Sequence, residues 1–170
     1  MKHLRVNGGG SWVKLRRLGG ERTCENSRML VLDPKASTAL RRHGEEAYPE
    51  ESCGVLVGRF GDGGCAAVSA IPCENARRDS PLTRYAIDPK ELIQIQRETR
   101  KQGLEIVGFY HSHPDHAAEC SATDLAEAHW VGCSYVITRV ASGAAAETRS
   151  FRLEGSWDQS RFVEEEIVLA

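Results

Sequence analysis

From Met29 onward the chain alternates short apolar runs with amphipathic stretches. Met29-Leu-Val-Leu32 reads as a strand, and Asp33-Pro34 supplies an N-cap and an N1 proline for a helix running to about Tyr48. Cys53-Gly-Val-Leu-Val-Gly58 is apolar and β-branched, as a buried strand requires, and Ala66–Ile71 suits a partner strand across a Gly61-Asp-Gly-Gly64 turn. Tyr85–Ile87 reads as a short strand. Asp88-Pro-Lys-Glu91 is a capping box that opens a helix to about Gln102, and Gly103 ends it. Leu104–Tyr110 is a strand, Ser121–His129 a helix, and Tyr135–Val140, Glu147–Leu153 and Arg161–Val168 are strands. This order predicts a mixed α/β (α+β) domain in which helices pack on a curved mixed sheet.

The first 28 residues break the pattern. They carry seven Lys/Arg and two Glu, a net of +5, and Gly8–Gly10 and Gly19-Gly20 interrupt any periodicity. We expect residues 1–28 to form a flexible basic extension and 29–170 to form one domain. Met29 offers an alternative start, and Leu15-Arg-Arg-Leu-Gly-Gly20 has the look of a ubiquitin-like Gly-Gly tail. The 170 residues, 41% hydrophobic and 27% charged, are enough for one self-sufficient core. The net charge of −2, and −7 for residues 29–170, argues against a nucleic-acid partner. No apolar run approaches the ~18 residues of a membrane span. Neither a signal peptide nor a CxxC pair is present among the six cysteines, so reduced thiols in the cytoplasm are expected.

The chemistry concentrates in Gly108-Phe-Tyr-His-Ser-His-Pro114, followed by Ser121-Ala-Thr-Asp124. On a strand, residues i and i+2 share a face, with side chains ~6–7 Å apart. His111 and His113 can therefore converge on one ion. Pro114 stops the strand, and Asp124, in the first turn of the next helix, can swing a carboxylate onto the same ion. Two imidazoles and a carboxylate leave a fourth tetrahedral position for water, the open coordination of a catalytic zinc. Ser121-x-x-Asp124 is also an ordinary capping box, and the cap and the metal role are compatible because the cap itself places Asp124.

These residues resemble the signature of the JAMM (MPN+) metalloprotease family. Glu51-Ser-Cys-Gly54 and the strand after it resemble the family's upstream glutamate segment. The likeness covers about residues 29–168. It is strongest to small bacterial members of the CysO-cysteine peptidase subgroup, in Tyr110–His116, in Gly132–Ile137 and in Phe162-Val-Glu-Glu-Glu166. The resemblance implies a JAMM/MPN, cytidine-deaminase-like fold. It also implies one zinc ion per chain held by His111, His113 and Asp124, with Glu51 as general acid/base toward the zinc-bound water and Ser121 as oxyanion donor. The implied substrate is a ubiquitin-like sulfur-carrier protein with a Gly-Gly tail, from which a cysteine or a longer segment is released. Relatives that pair make a homodimer a candidate.

The same register selects Glu51 over its neighbour Glu50. Asn75, Ser112 and His116 are candidate substrate-binding residues. Asp115 reads as a solvated loop residue, and Cys120, where relatives carry proline, as a loop cysteine close to the ligands. His129 and Trp130, Trp157, Phe151 and Phe162 read as structural. Two alternatives stand beside the peptidase. A non-catalytic MPN scaffold would keep its partner after losing zinc. A RadC-like DNA-repair relative would have Asn where this chain has Ser112, and the −7 charge opposes it. A zinc deaminase lacks its Pro-Cys-x-x-Cys, and a Cys–His hydrolase lacks any local signature.

Overall fold

The computed structural model describes residues 29–61, 64–156 and 158–170. The expectations for residues 1–28, for the tip of the Gly61–Gly64 turn and for Trp157 lie outside the described residues. The elements follow the order β1 (Met29–Leu32), α1 (Pro34–Ala47), β2 (Cys53–Gly61), β3 (Gly64–Cys73), α2 (Pro89–Lys101), β4 (Glu105–Pro114), α3 (Ala122–Glu127), β5 (Ser134–Ala141), β6 (Ala144–Ser156) and β7 (Gln159–Leu169). Both long helices begin at the expected Asp-Pro pairs, α2 with an Asp88 N-cap on Lys90 N–H in place of the expected capping box. The Asp33 and Asp88 carboxylates accept from the backbone N–H two residues on, and proline occupies the first turn of each.

The sheet is mixed and closes on itself in the order β1-β3-β2-β4-β5-β6-β7. Short β1 closes it, running parallel to both β3 and β7. The expectation was a curved mixed sheet, and here the sheet closes into a barrel-like arrangement, which removes its edges. The third parallel pairing, β4 beside β5, needs a crossover, and the segment carrying α3 supplies it.

Alternation along β4 divides the core in two. Val107 and Tyr110 face a cluster built with Leu30, Leu32 and Leu56 and closed by Ala36 and Leu40 of α1. Ile106 and Phe109 face a second cluster with Val55, Tyr135 and Leu153, covered by Leu92 and Ile95 of α2 and by Trp130. That both Ile106 and Phe109 reach the second cluster follows from a register shift between β2 and β4 at Leu56/Val57.

Two element assignments need correction. Tyr85–Ile87 is not a strand. Its one ladder-like bond is Ala76 N–H donating to the Ala86 carbonyl at 2.8 Å, and the side chains of Tyr85 and Ile87 pack on the second cluster. The helix expected to reach His129 ends at Glu127, because Ala128 takes an extended conformation that buries it in the same cluster.

Gly54 pairs with Tyr110, the largest fully buried side chain. A Cβ at Gly54 would stand 2.5 Å from the Tyr110 ring and 2.4 Å from the Ile71 carbonyl oxygen. Gly54→Ala should therefore cost about 1–3 kcal/mol. Gly61→Ala, where a Cβ meets nothing within 4 Å, should be close to neutral. Urea midpoints of the two variants check this, and equal midpoints would contradict the packing argument.

Candidate metal centre

The centre sits where β4 ends beside the start of β2. Cys53 is in register with His111, and the pairing continues one residue past the strand. Ser112 N–H donates to the Ser52 carbonyl at 3.1 Å, and Ser52 N–H donates to Ser112 Oγ at 2.9 Å. This lock holds Glu51, next in the chain, alongside the histidines. By alternation His111 and His113 share the Phe109 face of β4, and Ser112 turns to the opposite face, toward Gly44 of α1.

His111, His113 and Asp124 each offer a ligand atom, and these atoms lie within 4.8 Å of one another. The two Nε2 atoms are 3.0 Å apart. Asp124 Oδ1 is 3.3 Å from His111 Nε2, and its Oδ2 is 3.7 Å from His113 Nε2. The Nδ1 of His113 lies 2.7 Å from the Ala117 carbonyl. A carbonyl only accepts, so Nδ1 carries the proton and Nε2 is left as a lone pair aimed at the cluster. The His111 ring is held by Tyr85, stacked at 4.6 Å and 26°. Two Nε2 atoms in mutual contact repel unless a proton or a cation lies between them. Tightly grouped nitrogen and carboxylate donors of this kind fit a divalent transition metal.

Ser121 caps α3 and forms both halves of a capping box. Its Oγ accepts from Asp124 N–H at 3.0 Å, and Asp124 Oδ2 accepts from Ser121 N–H at 2.7 Å. Burial alone would raise the Asp124 carboxyl. Hydrogen bonds from His111 and Ser121 outweigh it and hold the carboxyl well below the usual range, ionised and ready to ligate. Burial pushes His113 down, with the His111 charge adding to the effect, so its imidazole favours the neutral, ligating form.

Glu51 is only 6% exposed, whereas Glu50 is exposed. Burial raises the Glu51 carboxyl to about 7. His111 opposes the rise, and Asp124 and Glu127 add to it. Its backbone is clamped on both sides. Glu51 N–H donates to the Pro81 carbonyl at 2.8 Å, and its carbonyl accepts from Asn75 Nδ2 at 3.2 Å.

The three candidate substrate contacts, Asn75, Ser112 and His116, lie in different settings. Asn75 Nδ2 also donates to the Arg84 carbonyl, and its Oδ1 accepts from the backbone N–H of Arg77 and Ala86. These bonds, with the one to Glu51, shape the 74–88 loop. Ser112 is buried on the far face of the strand. His116 is exposed on the loop between the ligands, close enough to influence His113 electrostatically. Cys120 is partly buried near Asp124, and burial raises its thiol to about 12. Asp115 is engaged rather than simply solvated, accepting from Tyr48 Oη and Ser142 N–H. Sequence reasoning missed Tyr85 and Glu127. A lone aromatic in a loop and a glutamate one turn beyond a capping box carry no local signature.

The family description "Prokaryotic homologs of the JAB domain", Prok-JAB, matches residues 33–154. The desampylase of Haloferax volcanii is 36% identical, with 65% of this chain and 81% of that protein covered. The CysO-cysteine peptidase of Mycobacterium tuberculosis is 32% identical, covering 74% of this chain and 83% of that protein. A solution structure of a protein from Desulfitobacterium hafniense superposes with a TM-score of 0.71 at 30% identity, over 84% of this chain and 93% of the other. Together with the ligand cluster, these likenesses define a metallopeptidase hydrolase. The chain belongs to the Prok-JAB family, the prokaryotic branch of the JAMM/MPN domains.

The buried Glu51 makes stability pH-dependent in the metal-free protein. Below pH ~4.5 the carboxyl is neutral in both folded and unfolded chains. As pH rises from there toward 7, the unfolded chain loses its proton first, and stability falls until the folded pKa is passed. The gap between 4.5 and about 7 corresponds to about 3 kcal/mol. Metal-free Glu51→Gln should therefore be ~1–3 kcal/mol more stable than the parent at pH 8 and equal to it at pH 4. Denaturation at both pH values checks this, and a less stable variant at pH 8 would contradict it.

Proposed function

We propose that this chain is a zinc-dependent peptidase or isopeptidase that hydrolyses the bond after the C-terminal Gly-Gly of a ubiquitin-like sulfur-carrier protein. The observation that carries the reading is the convergence of three metal-ligating atoms within 4.8 Å beside a buried carboxyl held near neutrality. His111 and His113, through Nε2, and the Asp124 carboxylate would hold one zinc ion. When bound, zinc supplies Lewis acidity and makes water acidic enough for a carboxylate to deprotonate.

The chain's own groups then have separate roles. Glu51 accepts the proton of the attacking water and returns it to the leaving amine. A carboxyl near neutrality suits both transfers, since it neither holds nor releases the proton too strongly. Ser121 Oγ uses a lone pair for the Asp124 N–H and keeps its own proton to donate to the developing oxyanion. Asn75 and Pro81 fix the backbone of Glu51, and Tyr85 and Ala117 orient the two imidazoles. His116 stands on the open side of the ligand loop, where a substrate tail would pass.

The desampylase and CysO-cysteine peptidase names among the relatives support a ubiquitin-like substrate. The carrier, the release of cysteine, a homodimer and a cytidine-deaminase-like architecture are parts of the proposal. So are a cytoplasmic location and a domain spanning 29–170. The five described cysteines are free, which suits a reducing compartment, and none of the described helices is long and apolar enough to cross a membrane.

Incubation with a ubiquitin-like sulfur carrier ending in Gly-Gly-Cys should release cysteine, read by intact-mass spectrometry, and a chelator should abolish the release. Glu51→Gln should lower kcat at least ~10²-fold while retaining one zinc per chain. His113→Ala should lose the zinc as well. Full activity in Glu51→Gln, or zinc-independent cleavage, would overturn the mechanism.

A further inference from the structure

A cavity of about 410 Å³ adjoins the metal centre. Phe109 and Tyr135, register partners on β4 and β5, line its apolar side. Trp130 meets Phe109 edge-on at 5.4 Å, and Ile87 and Tyr85 complete the apolar wall. Arg77, Glu127 and His129 make its polar end. Three features join this cavity to the reacting centre. Phe109 lies two residues before His111 on the same strand face, ~6–7 Å away. Tyr85 lines the cavity and stacks on His111. Glu127 follows Asp124 by one helical turn.

The polar end has donors to spare. Arg77 Nη2 donates to Glu127 Oε1 at 2.8 Å, and Arg84 also pairs with that oxygen. Two guanidinium groups thus share one carboxylate. The further acid near Arg77 is Asp79, at 3.9 Å and largely exposed. The Nε atoms of both arginines are buried without a hydrogen-bond partner. Buried donors left unpaired are costly, and a carboxylate is the acceptor that guanidinium geometry matches best.

Building on the peptidase reading, we propose that this cavity binds the leaving group as a single C-terminal amino acid. Its apolar side chain would lie against Phe109, Trp130 and Tyr135, and its free α-carboxylate would meet Arg77, with the Arg84 charge behind it on Glu127. One residue is enough to reach both ends of the cavity lining, because side chain and carboxylate both branch from the carbon bonded to the leaving nitrogen. In the reaction, water adds across the Gly–Xaa amide. The C–O bond forms and the C–N bond breaks. The carrier retains the new glycine carboxylate, and the nitrogen leaves as the ammonium of a free amino acid.

The test compares fluorophore-tagged peptides ending in Gly-Gly-Phe free acid, Gly-Gly-Phe carboxamide, Gly-Gly-Asp free acid and Gly-Gly isopeptide-linked to lysine. With the zinc-loaded protein, kcat/KM for Gly-Gly-Phe acid should exceed each of the others at least tenfold. Arg77→Gln should raise KM for the acid about tenfold more than it raises KM for the carboxamide, an asymmetry that general loss of structure would not produce. In the metal-free protein, L-phenylalanine should shift the Trp130 indole N–H resonance, and phenylalaninamide should not. Equal cleavage of acid and carboxamide, faster cleavage of the lysine isopeptide, or an unmoved Trp130 signal would overturn the inference while leaving the peptidase reading intact. No cleavage of any peptide, nor of a sulfur carrier ending in Gly-Gly-Phe, would overturn the peptidase reading itself.

Discussion

The antiparallel register of β2 against β4 sets the geometry on which the centre depends. Cys53 opposite His111, reinforced by the reciprocal Ser52–Ser112 bonds, brings an acid from one strand beside two imidazoles from the next. A slip of one residue would turn His111 and His113 toward α1 and bring Ser112 to the centre, because side chains alternate with a period of two. Gly54 and the buried Tyr110 oppose such a slip through packing, with no metal needed. The scaffold therefore groups the His111, His113 and Asp124 side chains through its own packing and register.

Electrostatics then divides the two carboxyls of the centre. Asp124 and Glu51 are both largely buried, yet one is held ionised and the other near neutrality. Asp124 receives hydrogen bonds from the helix cap and from His111. For Glu51, burial dominates, and the neighbouring acids Asp124 and Glu127 reinforce it. A permanent anion suits a ligand, and a carboxyl that exchanges its proton readily suits an acid/base.

The 74–88 loop ties these parts together. Asn75 binds the carbonyl of Glu51 and gathers the loop around itself with three further bonds. The same loop sends Tyr85 onto His111 and Arg77 and Arg84 onto Glu127 of α3. Asn75 organises this loop through both ends of its amide. The strand expected at Tyr85–Ile87 fails for the same reason, since the segment follows side-chain anchors rather than a ladder.

Much of the fold and site was legible locally. Asp-Pro caps marked both long helices, and β-branched runs marked the strands, because backbone sterics and burial act over a few residues. His111, His113, Ser121 and Asp124 were legible as a set, since strand alternation and a helix cap each place a ligand by local rules. Glu51 was singled out by the resemblance, and its burial beside the histidines came from the β2–β4 register. Closure of the sheet by β1, the shortening of α3, the inward turn of Ser112 and the roles of Tyr85, Asn75, Arg77 and Glu127 came only from tertiary structure. Each depends on contacts between segments far apart in the chain, and no local pattern records which distant partner a side chain will meet.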